Sequence, residues 1–476
     1  MKRIVIALGT LISTLCVIGC TVGPRYQRPA TNAPQAYRGA MAPDANANIS
    51  SLGDEKWAEV FRDPVLQQLI REALANNYDV RIAAQRVLEQ QDQVGITRAQ
   101  QFPTLNGGGS FFAAGLPSSL VKTLNSSGSN RSYASNFYAG GVTLSAAWNL
   151  DFWGLYRRQT EAAREQLLAT EWGRRSTIST VVENVATAYL QLRTLDAELE
   201  ITKQTLEARQ QSLQLTQTLE QGGSGTLADV RQAEQLLYTA AAAIPDFERQ
   251  IEQQENSISI LLGRNPGSIL RGASEMNWPQ PEQIPAGIPS QLLERRPDIQ
   301  QAEAQLMVAN ANVGVAKAQL FPQVSLSATG GQASNQLKGL VDGKNLYWYA
   351  TPTLTEPIFD AGRLRNNLRL SKAQKQEQVL TYQRTIKQAF ESVSNALVAL
   401  QKYRQFREQE ANLTASAEDA TRLARLRYNG GSTSYLEVLT NDTNYYSAQL
   451  NLAVAQEDEA ISIVQLYSAL GGGWQE

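Results

Sequence analysis

Cys20 has the setting best suited to covalent chemistry in this sequence, and the chemistry it points to is acylation. Val17-Ile18-Gly19-Cys20 has the pattern of a bacterial lipobox, with small Gly19 ahead of a thiol that can carry diacylglycerol. Lys2 and Arg3 form a positive n-region and Ile4 to Ile18 an apolar core, so residues 1–19 read as a secretory signal peptide. The apolar-to-polar switch falls at Cys20 itself; an ordinary signal peptide with an incidental cysteine is the alternative. Residue 21 is Thr and not Asp, which gives no signal for inner-membrane retention. Lipid chains hold a protein at a surface and do not make it span. A covalent lipid on Cys20 is the one non-protein group expected, with no cofactor.

Other reactive constellations are scarce. The second cysteine, Cys16, lies inside the signal peptide, so the mature chain has no disulfide. There is no histidine anywhere, which excludes Ser-His and Cys-His nucleophilic catalysis and the usual zinc sites. Paired carboxylates remain conceivable, but the acidic residues are scattered among Arg, Lys and Gln, as on solvated helix faces. Four methionines, one of them Met1, give no soft-metal path. Loss of Lys2 and Arg3 leaves 41 basic residues against 45 acidic ones, a net charge of −4. That balance, without a basic tract, argues against nucleic acid. The sequence reads as a non-enzyme.

The elements that must position these residues come in two copies. Tyr78-Asp79-Val80 answers Pro297-Asp298-Ile299, and Arg98 to Pro103 answers Lys317 to Pro322, at an offset of 219. Gly154 answers Gly362, Gly222-Gly223-Ser224 answers Gly430-Gly431-Ser432, and Leu262-Gly263 answers Leu470-Gly471, at an offset of 208. Two constant offsets mean one duplicated unit of roughly 200 residues. The eleven-residue difference arises between residues 103 and 150.

Each copy predicts a helix, a strand pair, a very long helix, a Gly-rich turn and a further helix. Repeat 1 spans 64–263, with strand pair 103–150 and helices 64–101, 154–221 and 227–262. Repeat 2 spans 290–471, with strand pair 322–359 and helices 362–429 and 434–470. Segment 20–63 precedes the repeats, 264–289 links them as a periplasmic linker, and 472–476 is a tail. From Arg363 to Tyr428 there is no Gly or Pro over 66 residues, or about 100 Å of helix. Ile178, Val185, Leu192, Leu199, Leu206 and Leu213 recur every seven residues, as do Ile386, Val393 and Leu400. That period predicts left-handed supercoiling against a partner helix.

The intervening segments change period. Val324, Leu326, Ala328 and Gly330 alternate with Ser325, Ser327 and Thr329, and Val142 to Leu150 alternate likewise. Alternation over about ten residues with aromatics at the ends fits membrane-barrel strands, and also soluble strands with one buried face. Mean hydropathy is negative and no apolar 18-mer follows residue 20, so helical spans are not expected. Four strands cannot close a lipid-facing barrel, so three chains would share twelve. The fold class expected is mainly α with a small membrane β-barrel: a duplicated coiled-coil barrel, four strands per chain, closing as a trimeric twelve-stranded barrel plus a twelve-helix tunnel.

Both Gly-rich turns precede a capping-box pattern, Thr226 to Asp229 and Ser434 to Glu437. They are expected at the ends of the long helices opposite the strands. Together with Gly19-Cys20-Thr21-Val22-Gly23-Pro24-Arg25-Tyr26, Pro29, the run Leu292 to Ile299 and Tyr435 to Leu439, these features resemble the outer-membrane factors, the TolC-like channel family, in its lipoprotein branch. The resemblance covers essentially the whole mature chain. It implies a homotrimer in outer-membrane lipid, serving as the passive exit duct of a tripartite pump with a periplasmic adaptor and an inner-membrane RND transporter. It also implies that the tunnel lies in the periplasm and that its tip closes like an iris. Leu436 matches the apolar constriction, Thr440 a position where many members have Asp, and Tyr428 a latching tyrosine. Asp442 lies two positions on, about 200° round the helix, which leaves an acidic ring at the tip open. Gly222, Gly223, Thr226, Gly430, Gly431 and Ser434 are the candidate adaptor contacts. A protein- or metal-export channel of the same family and a lipid-anchored periplasmic scaffold are the alternatives.

Overall fold

A computed structural model describes residues 21–31, 34, 37–38, 51–119, 121–122, 136–272, 289–340 and 342–475. The signal peptide, Cys20 and most of the linker 264–289 lie outside these residues. The described chain is mainly helical with one four-stranded antiparallel sheet. Helices α1 (Pro64–Asn76) and α2 (Tyr78–Ala99) lead to strands β1 (Thr104–Gly115) and β2 (Asn136–Leu150). Helices α3 (Leu155–Gln221) and α4 (Leu227–Leu261) complete the first copy. The second runs α5 (Pro289–Arg295), α6 (Pro297–Ala318), β3 (Gln323–Ser334), β4 (Leu346–Thr355), α7 (Arg363–Asn429) and α8 (Tyr435–Ala469). The two long helices have 67 residues each.

The opening helix expected over 64–101 is broken at Asn77. Its Oδ1 accepts from the amides of Asp79 and Val80, capping α2, and its Nδ2 donates to Leu261 O at the end of α4. In the second copy Pro297 causes the break, because the residue before a proline is steered away from the α region. Compactness also fails to follow the duplication. One unit comprises residues up to 29, 88–168 and 304–380; the other comprises 30–87, 169–303 and 381–476. Each draws on both copies; in the first unit the pairing of β2 with β3 joins them.

In the first unit the sheet runs β1-β2-β3-β4. Gly154 and Gly362 take φ of +79° and +81° just before α3 and α7, a backbone turn that disfavours any Cβ. Residues 21–24 dock here: Val22 N donates to Trp153 O, Arg158 Nε to Val22 O and Asn310 Nδ2 to Pro24 O. Gly23 and Gly314 meet so closely that a Cβ on Gly23 would lie 2.6 Å from Gly314 Cα.

In the second unit the seven-residue stripe is core. Val185, Leu192, Ile386, Val393 and Leu400 are buried, and Ile178, Leu199, Leu206 and Leu213 are half-buried. The tail is packed too: Ser179 Oγ donates to Gly472 O, and Arg175 lies over both Trp172 and Trp474. Arg295 pairs with Asp54, and Arg296 donates to Ala469 O, satisfying a carbonyl at the C-terminus of α8.

Candidate channel surfaces and helix tips

The register of the sheet sorts its side chains into two faces. Leu105, Ala146, Ala328 and Ala350 align across the four strands, as do Gly107, Leu144, Gly330 and Trp348. Continuing the alternation, Phe111, Val142, Trp148, Leu326, Leu346 and Leu354 fall on that same face. It is apolar and solvent-exposed in the single chain; Trp348 is 78% exposed. The opposite face carries Asn106, Ser110, Thr143, Ser145, Thr329, Tyr349 and Thr351 among others. No residue of the four strands is charged. An apolar band on one side and a polar one on the other, in strands of about ten residues, is the pattern of a sheet with lipid on one face and water on the other. Among the described residues no helix is long and apolar enough to cross a membrane.

The helix tips in the second unit are built by matching turns. Ser224 N donates to Leu219 O and Gly223 N to Glu220 O; Ser432 N donates to Arg427 O and Gly431 N to Tyr428 O. These are Schellman closures, with Gly223 and Gly431 at φ of +73° and +68°. Thr226 then forms the expected capping box with Asp229. Ser434 does not. Its side chain makes no cap bond, and the Glu437 carboxylate that would complete the box is taken by Arg427 and Thr433.

Asp442 is buried. It accepts from Arg209 Nε of α3 at 2.9 Å and from Arg425 Nη2 of α7 at 2.7 Å. Arg209, only 2% exposed, also donates to Leu236 O of α4 and lies over the Tyr446 ring. Tyr428 packs edge-on against Tyr435, ring centroids 5.3 Å apart, and Tyr435 shares a hydrogen bond with Ser212. Burial pushes both phenols above their ordinary range. Ala233, Ala424 and Val438 complete this cluster. Leu436 is 57% exposed, and Thr440 is exposed with its hydroxyl donating to Leu436 O.

The candidate tip residues therefore separate. Tyr428 is drawn into the helix packing and Asp442 into a buried ion pair, while Leu436 and Thr440 stay at the surface of α8. The partners of Asp442 were not singled out from the sequence. The signal was there: Arg209 lies three positions past Leu206 of the seven-residue stripe, a core position where a charge requires a partner. Among the described residues, no cluster of three or more acidic, His or Cys side chains could hold a metal ion.

The sheet has the two faces of a membrane-barrel segment, and the chain's relatives are channel proteins of the outer membrane. The sequence pattern of the outer membrane efflux proteins matches residues 69–264 and 288–472, and the chain belongs to that family. It is 36% identical over 471 residues to the probable efflux pump outer membrane protein TtgC of Pseudomonas putida, covering 98% of this chain and 96% of TtgC. It is 33% identical over 464 residues to the cation efflux system protein CusC of Escherichia coli, covering 97% of each. The open-state structure of the outer membrane channel MtrE of Neisseria gonorrhoeae is similar with a TM-score of 0.84 at 29% identity, over 96% of this chain and 99% of that one.

Proposed function

We propose that this protein is the exit duct of a tripartite efflux pump for small toxic molecules, and that it does no chemistry of its own. Three copies close their sheets edge to edge into a twelve-stranded barrel, with the apolar face to lipid and the polar face to the lumen. The carrying observation is that β1 and β4 are the outer strands of a sheet whose two faces differ so sharply. Open edges at membrane depth leave backbone groups unsatisfied, and closure with further copies removes them. The helices continue the barrel as a periplasmic tunnel. An adaptor docks at the turns around Gly222, Gly223, Thr226, Gly430, Gly431 and Ser434, and an inner-membrane RND transporter supplies the energy. Cys20 carries the lipid that tethers the mature chain to the outer membrane.

At the tip, Leu436 and Thr440 form the constriction, with the Tyr428–Tyr435 packing and the Arg209–Asp442 pair holding their helix in place. The decisive test is single-channel conductance of the detergent-extracted protein in a planar bilayer, with its mass in detergent measured alongside. Discrete current steps from a trimer are expected. A monomer that carries no current would leave the lipid-anchored scaffold as the reading. Leu436→Ala is expected to preserve export but let large antibiotics leak inward; unchanged permeability would remove Leu436 from the constriction.

A further inference from the structure

The two ends of the sheet differ in charge. The end that joins the helices carries both signs, Asp151, Glu356 and Asp360 beside Arg157, Arg363 and Arg365. Asp151 pairs with Arg157, and Asp360 accepts from the amides of Gly362 and Leu364. At the far end, the β1–β2 and β3–β4 connections hold Lys122, Arg131, Lys338 and Lys344 against a single acid, Asp342. Arg131 lies outside the described residues. Lys122, Lys338 and Lys344 are exposed, and none of the three has an ion-pair partner among the described residues. Asp342 Oδ1 accepts from the Lys344 amide at 3.2 Å.

The β3–β4 connection is held in one shape. Asn345 Nδ2 donates to Gly339 O at 2.8 Å, tying the residue after Lys344 to the residue after Lys338. A Cβ on Gly339 would lie 2.2 Å from Ser334 Oγ, so this close approach needs glycine. The short 3-10 turn Leu337–Leu340 lays Leu340 over Gly140 beside the Phe111 ring. Gly140 pairs with Phe111 and alternates with Val142, so Leu340 seats on the apolar face of the sheet. Tyr138, stacked on Phe111, and Leu346 and Trp348 just after the loop share that face. Aromatics at the end of an apolar band mark the headgroup boundary. A lysine stem can lie along such a surface while its ammonium reaches the polar layer.

We propose that Lys338 and Lys344, with Lys122 of the other connection, bind the phosphate groups of phosphorylated glycolipid in the outer leaflet of the outer membrane. This rests on the channel reading above, which turns the helices to the periplasm and these loops outward. Phosphates crowded in a leaflet repel one another and need counter-ions, and ammonium groups fixed at the rim supply them. The loop that carries Lys338 is seated on the lipid-facing side, which favours a lipid phosphate over a free one. Each lysine near an anionic leaflet adds its own increment to binding.

The test is binding of bisphosphorylated lipid A, and of the same lipid after enzymatic dephosphorylation, to the full-length detergent-solubilised trimer in EDTA, followed by native mass spectrometry. The phosphorylated lipid is expected to bind about tenfold or more tightly than the dephosphorylated one, and the double variant Lys338→Gln, Lys344→Gln to lose about that factor. The double variant Lys338→Arg, Lys344→Arg keeps the charge and should retain binding. Lys317→Gln, exposed at the helix end of the sheet, should change nothing. Equal binding of the two lipids, or equal loss from Lys317→Gln, would overturn the proposal. Displacement of the lipid by inorganic phosphate at the same concentration would assign the site to a free anion and overturn it as well. A conducting trimer that does not distinguish the lipids would remove this proposal alone, whereas a monomer without current would overturn the channel reading itself.

Discussion

Arg209 and Asp442 stand 233 positions apart and meet at 2.9 Å in a site closed to water. Removing one partner of such a pair leaves a charge without compensation. Asp442→Ala is expected to cost about 3 kcal/mol or more in denaturant unfolding of the detergent-solubilised protein. The double change Arg209→Met, Asp442→Leu should recover most of that, since a packed apolar pair needs no desolvation of charge. Arg425, 42% exposed, can turn to water, and Arg425→Ala should cost about 1 kcal/mol or less. Glu198 makes a different prediction. Burial, with Glu457 beside it, pushes its carboxyl up to about 7. The folded state thus disfavours the charged form. The resulting penalty is absent below about 4.5, the ordinary value, and complete above about 7. Stability should fall as pH rises through that window, and Glu198→Gln should flatten the dependence by about 1 kcal/mol after screening at this half-buried site. Identical pH profiles for the two proteins would refute it.

Elements are joined here by side chains that serve two of them at once. Asn77 caps the start of α2 and satisfies a carbonyl at the end of α4. Asn77→Ala is expected to cost about 1–2 kcal/mol and to raise amide exchange at the first turn of α2 and the last of α4 together. Exchange raised in α2 alone would mean that the bond to Leu261 contributes little. Gly263 has the same double nature, with φ of +72° and Asn76 O only 2.4 Å from the place of a Cβ, so Gly263→Ala should be worse than the loss of a helix cap. The long helices were legible because Gly stands at their ends, while their interiors hold no Pro and a single Gly, Gly173. The break at Asn77 was legible only in part. Its local half, an Asn at a helix start, is a known capping signal; its other half, the bond to Leu261 184 positions away, no local propensity encodes.

The whole molecule is tested best by neighbouring residues on opposite faces. Leu144 belongs to the apolar face of β2 and Thr143 to the polar one. Leu144→Arg is expected to cost about 2–4 kcal/mol if the strand sits at the bilayer midplane, and to reduce the yield of heat-modifiable, SDS-resistant trimer. Thr143→Lys, one position away, should leave that trimer intact. Equal loss from both would mean that the sheet does not stand between lipid and water.

By itself the sequence determined the duplication, the long helices, the four strands and the absence of histidine chemistry, and so the family. These are properties of period, composition and spacing, each encoded within a few dozen residues. Only the tertiary structure decided which copies meet. The pairing of β2 with β3 joins the two repeats, and it fixes which alternate residues share a face across all four strands. It also decided that Asp442 turns inward to Arg209 while Leu436 and Thr440 remain outside. A helix sequence gives the angle between two side chains. Which side faces the neighbouring helix depends on where the buried charge finds its partner, and that partner lies in the other copy of the repeat.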